Sequence, residues 1–195
     1  MFDSGIIAEN LVDEIMSEAD IAPDISPQTY YNWIDETEQL LYSEIIKEIV
    51  QKTQPPTRPI VLSSMQEANA SKPRFEDIYA VYADEKQLIK ATAVGGETFP
   101  DTYWKQGNDL YYNVTPAPNE IRVFYYIRPV LKADMPTETI KLPVEWVCLI
   151  RAKLRGEAYK LVNEDSAAAK WLNDYNVLLE QFKQYMAARN PEFGV

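Results

Sequence analysis

Histidine is absent from this 195-residue chain. That removes the commonest general base, the usual partner of a nucleophilic serine or cysteine, and the commonest metal ligand. Cysteine is nearly absent as well: Cys148 stands alone, so an internal disulfide framework is excluded. It falls in a helical pattern beside Val147 and Leu149 and reads as a small apolar filler, not a reactive thiol. Glycine is scarce, and Gly95-Gly96 has neither the P-loop lysine pattern nor a GxGxxG frame. No run approaches the ~18 apolar residues of a membrane span, and the first residues lack a basic-then-apolar secretory pattern. The adjacent acids Glu76-Asp77 and Asp84-Glu85 have no further ligands at a recognisable spacing and read as turn acids. The chain is therefore expected to be no enzyme, with no metal, no cofactor and no membrane partner.

What is present is an ordinary globular composition, 46% hydrophobic and 25% charged, with a net charge of −11. The charge is unevenly placed. Residues 1–56 hold twelve acids against two lysines, whereas residues 141–195 hold eight cations against seven acids. An acidic N-terminal third argues against wrapping nucleic acid, because phosphate binding needs clustered lysine and arginine. Thirteen tyrosines and four tryptophans lack the surrounding cations that base stacking would need. They suit a core and subunit interfaces better.

Periodicity predicts helices at both ends. Asp3 or Ser4 caps a short helix carrying Ile7, Leu11 and Ile15 that ends near residues 22–23. Ser26-Pro27 starts a second, with a stripe of Tyr30, Trp33, Ile34, Thr37, Leu40, Leu41, Ile45 and Ile49 running to about Lys52. After Pro143, Val147, Ile150, Leu154, Ala158 and Leu161 share one stripe. Asn163 stops that helix, and Ala168, Trp171, Tyr175, Leu179, Phe182 and Met186 mark a longer one that folds back as a hairpin. Between residues 60 and 132 β-branched and aromatic residues concentrate in short runs, the best being residues 120–128, with a hairpin loop at Gln106-Gly107-Asn108-Asp109. The expected fold is α+β, mainly α. A four-helix bundle-like core (residues 3–53 and 142–189) carries a small antiparallel β insertion (about 60–132) between helices 2 and 3. The whole is one domain over residues 1–195, with a C-terminal tail at 190–195.

The order of elements also carries a likeness. Tyr-Tyr-Asn-Trp-Ile-Asp-Glu-Thr-Glu-Gln-Leu-Leu at residues 30–41 is followed by Asp-Leu-Tyr-Tyr-Asn-Val-Thr-Pro-Ala-Pro at 109–118. A tyrosine-rich strand ending in Arg128-Pro129, then Leu-Pro-Val-Glu-Trp at 142–146, and a final helix with Trp171 and Tyr175 complete it. Over residues 26–189 the chain resembles the head-to-tail connector, or adaptor, proteins of tailed bacteriophages, the neck rings beneath the portal. The resemblance implies a virion structural protein, made in the host cytoplasm, that assembles with itself into a ring of twelve. It implies the portal protein above and a tail or nozzle protein below as partners, with DNA passing through the channel without sequence-specific binding. It also implies a C-terminal segment, Arg189, Asn190, Pro191, Glu192, Phe193, Gly194 and Val195, reaching the portal. Phe99, Tyr103, Trp104 and Tyr111 in the β region are the candidate ring or tail contacts. The other readings are a non-catalytic scaffold or protein-binding module, and a second neck or tail-completion ring.

Overall fold

The computed structural model describes residues 1–18, 25–62 and 74–189. The elements are α1 (Ala8–Met16), α2 (Pro27–Leu41) with a π turn (Tyr42–Ile46), β1 (Ile49–Gln54), β2 (Ile60–Val61) and β3 (Arg74–Ala83). Then come β4 (Lys86–Gln87), β5 (Ile89–Lys90), α3 (Ala93–Thr98), β6 (Thr102–Gln106), β7 (Asp109–Asn113) and β8 (Ile121–Arg128). A 3-10 turn (Val144–Trp146) leads into α4 (Val147–Leu161) and α5 (Asp165–Arg189). The chain forms two compact units, Met1–Ile46 with Pro129–Val195, and Lys47–Arg128.

The expectation of a mainly α fold with a small insertion is overturned. The β region holds two four-stranded sheets, ordered β1-β8-β3-β4 and β2-β7-β6-β5, and the β5–β6 pair is parallel. The error began at the end of helix 2. Ile45 and Ile49 are four residues apart and so extend a helical stripe on paper. In the structure Lys47 takes a left-handed φ of 45° that ends the helical turn. Ile49 to Gln54 then pair antiparallel with β8, Val50 opposite Tyr125 and Lys52 opposite Val123. Three of those six residues are β-branched, and the tyrosine-rich partner favours them on a pleated surface. After the Asp84-Glu85 turn the sequence predicts a single strand over residues 87–91, but the chain divides there. Lys86–Gln87 pairs with β3 in one sheet and Ile89–Lys90 with β6 in the other.

The β unit closes on a core drawn from both sheets. Ile78, Val81, Ile121 and Val123 come from one, and Ile60, Tyr103, Leu110 and Tyr112 from the other. The hairpin at residues 106–109 forms as read, with Gly107 left-handed at φ 61°.

The helical unit has its own core, with Leu11 and Ile15 of α1, Tyr30 and Ile34 of α2, Ile150 and Leu154 of α4, and Phe182 and Met186 of α5. The α4–α5 hairpin lies where the periodicity puts it, and Asn163 at φ 61° makes the turn. Leu161 and Leu40, both read as stripe residues, are exposed.

Between β8 and α4, residues 129–142 run as an irregular strap, and this segment has no counterpart in the sequence reading. One face of α2 binds its main chain. Asp35 accepts the N–H of Lys132 at 2.5 Å and of Ala133 at 2.9 Å; Glu38 accepts the N–H of Lys141 at 2.5 Å. Gln39 Nε2 donates to the Pro129 carbonyl at 3.1 Å, and Tyr42 OH to that of Lys141 at 3.0 Å. Positions 35, 38, 39 and 42 lie on one helical face, so a polar stripe replaces an apolar one here. The strap's other side serves α1. Neither Asp3 nor Ser4 caps that helix; its N-cap is Ile7, and no side chain bonds there. Instead the Ala8 and Glu9 N–H groups donate to the carbonyls of Glu138 and Pro136, at 2.9 and 3.0 Å.

The hairpin crosses closely at Gly156. A Cβ there would stand 2.7 Å from the Leu172 side chain and 3.2 Å from its backbone nitrogen. Gly156→Ala gains about 1 kcal/mol of helix propensity, but overpacking against backbone costs about 1–3 kcal/mol. A thermal melt should therefore show a Tm lower by a few degrees. A raised Tm would mean that the crossing relaxes freely.

Candidate functional site

Among the described residues no group of three or more Asp, Glu or Cys side chains is placed to hold a metal ion. The strap holds a cluster of buried charge among the described residues. Glu38 and Lys132 are both fully buried, with Lys132 Nζ 2.7 Å from Glu38 Oε2 and 3.0 Å from the Val130 carbonyl. Burial pushes the Glu38 and Asp35 carboxyls above the ordinary carboxylate range, against the pull of Lys132 and of the backbone donors. Both carboxylate oxygens of Asp35 and of Glu38 accept from a main-chain N–H or the Lys132 ammonium, so the cluster is built for holding chain.

The surfaces offer more. In the β unit, residues on β8 alternate between faces: Ile121 and Val123 go to the core, while Arg122, Phe124 and Tyr126 face outward. Phe124 meets Tyr82 edge-on at 5.4 Å, Tyr126 meets Tyr79 at 5.8 Å, and the Arg122 guanidinium lies over Tyr82 at 5.7 Å. A groove of about 470 Å³ adjoins this face, lined by Tyr79, Ala80, Leu88, Ile89, Lys90 and Tyr103. Ile89 is 69% exposed and Tyr79 56%, so two large apolar side chains flank it in solvent. In the helical unit a smaller groove of about 350 Å³ runs between α4 and α5, past Cys148, Ala152, Trp171, Val177 and Leu178. Arg155 stacks on Trp171 at its rim and binds Glu18, two residues past the end of α1, through two guanidinium nitrogens. No family model matches the chain, and no curated protein is significantly similar to it.

The aromatics singled out in the sequence divide. Phe99 is 62% exposed. Trp104 is buried and stacks on the half-buried Tyr111, ring centroids 5.6 Å apart. Tyr103, buried, belongs to the core. Of the C-terminal residues, Arg189 ends α5, its guanidinium over Phe2 and Tyr185; Asn190, Pro191, Glu192, Phe193, Gly194 and Val195 lie outside the described residues. Sequence reasoning did not single out Tyr79, Ile89 or the outward row on β8. For that row the sequence carries little signal, because residues 123–126 are apolar or aromatic without a break and only Arg122 marks the outward face.

Trp104 is seated by a glycine. A Cβ on Gly96 would fall 2.0 Å from its ring. Gly96→Ala should expel the indole, redden tryptophan emission and cost about 1–3 kcal/mol in a denaturant titration. Unchanged emission and stability would show that α3 shifts without cost.

Proposed function

We propose that this chain is a structural protein of a tailed-phage virion, a head-to-tail connector that assembles with itself into a ring beneath the portal, joins capsid to tail and continues the DNA channel. The observation that carries the reading is the segregation of charge between the two units. Residues 1–46 with 129–195 hold nine cations and twenty acids, whereas residues 47–128 hold ten of each. The whole net charge of −11 thus belongs to the helical unit. A ring subunit needs a surface that repels passing phosphates, which an acidic unit supplies. It also needs protein contacts, for which the neutral unit offers Tyr79, Ile89 and Phe99 in solvent. The element order between residues 26 and 189 supports the same family. The ring of twelve, the portal above and a tail or nozzle protein below belong to this proposal, as does a portal contact by residues 189–195.

Light scattering on the purified protein, alone and mixed with the portal of the same phage, tests the reading. The expected result is a stoichiometric ring on the portal, weakened by deletion of residues 190–195. A chain that stays monomeric in both conditions overturns the connector reading. Full portal binding after the deletion removes the tail from it.

A further inference from the structure

Residues 132–141 form a loop whose two ends meet at one side chain. Glu38 Oε2 takes the Lys132 ammonium at 2.7 Å, and Glu38 Oε1 takes the Lys141 N–H at 2.5 Å. Between those ends the loop holds the start of the chain. Its Pro136 and Glu138 carbonyls cap α1, and Ile140 exchanges main-chain bonds with its neighbours: Ser4 N–H to the Ile140 carbonyl at 3.0 Å, Ile140 N–H to that of Ile6 at 2.8 Å. Ile140 is fully buried in the helical core and Ala133 packs against that core, but these are the loop's apolar anchors and both lie near its ends. Asp134 and Thr137 are exposed, and residues 135, 136, 138 and 139 are half-buried. Between Ala133 and Ile140 the loop is exposed or half-buried, and its neck is held by polar bonds together with the Ile140 anchor, which is the profile of a segment that opens locally while the surrounding core stays folded.

We infer that residues 132–141 are a clasp pinned by Glu38, and that its opening frees residues 1–9 as one unit. The coupling follows from the acceptors: the Ser4, Ala8 and Glu9 N–H groups donate to carbonyls of the clasp. Opening also uncovers Phe2 and Ile6, which pack half-buried against the helical core. The helical unit thus carries a releasable apolar segment at its N-terminal end. This inference is independent of the connector reading, since it requires no partner.

Native-state hydrogen exchange of the full chain tests it, with Glu38→Gln and the double variant Glu38→Met/Lys132→Met beside the wild type. The Gln variant leaves a buried ammonium without its charge partner; the double variant removes both charges and remains folded if the Gln variant does not. In the wild type the amides of Ser4, Ala8, Glu9, Ala133 and Ile140 should exchange at one common protection, below that of α4. In the double variant they should speed up together, about tenfold or more, while α4 and α5 amides move far less. Clasp amides that keep wild-type rates in the folded double variant overturn the inference. So does acceleration of Ala133 and Ile140 that leaves Ser4, Ala8 and Glu9 behind.

Discussion

The Glu38 carboxylate, fully buried and shared between the Lys132 ammonium and the Lys141 N–H, is the contact on which the helical unit's arrangement depends. Two charges out of water cost several kcal/mol each, and their attraction offsets this only with good geometry and satisfied remaining atoms. Both conditions hold: the pair is at 2.7 Å, the second carboxylate oxygen has a backbone donor, and the ammonium has the Val130 carbonyl besides. An apolar pair of similar volume would hold α2 to the strap with less expense. It would not choose which backbone groups of the strap face the helix. The ionic pair, with Asp35 beside it taking two consecutive N–H groups, sets that register.

From this register the N-terminal arrangement follows. With residues 132 and 141 fixed on α2, the carbonyls of residues 136 and 138 point to the start of α1 and replace the side-chain cap that it lacks. α1 is then held to α4 by Glu14 on Arg151 at 2.8 Å, and the turn after it by Glu18 on Arg155. These pairs are partly exposed and worth little singly. They use acids of the helical unit's large surplus, and the rest of that surplus remains as its surface charge. The β unit is organised by different physics, two sheets closing on one apolar core, and it carries no net charge.

The helices of the hairpin were legible because their stripe is made of residues that are buried for the ordinary reason. Val147, Ile150 and Leu154 recur at helical spacing and pack where that spacing puts them. The strap was not legible, because its partners are charged. Asp35 and Glu38 in an amphipathic pattern read as solvated, and only long-range contacts nearly a hundred residues away bury them. The second sheet was hidden for another reason. Its strands β2 and β5 are two residues long, so no period is visible; in the first sheet, β1 borrows the spacing of the helix before it. Of the candidate contacts, Phe99 lies in solvent as an interface residue would, while Tyr103 and Trp104 are claimed by packing. Aromatic content does not distinguish the two fates, and neither does alternation, since Tyr103 and Trp104 are neighbours on β6 and both are buried.

A double-mutant cycle on Glu38 and Lys132, read in denaturant unfolding, tests most directly that the buried pair governs the helical unit. Glu38→Gln and Lys132→Met should each cost about 3–5 kcal/mol, and the two together far less than their sum, a coupling of several kcal/mol. Single effects that add to within about 0.5 kcal/mol would mean that the two charges act independently. The strap's register would then have to come from its apolar residues and not from the ion pair.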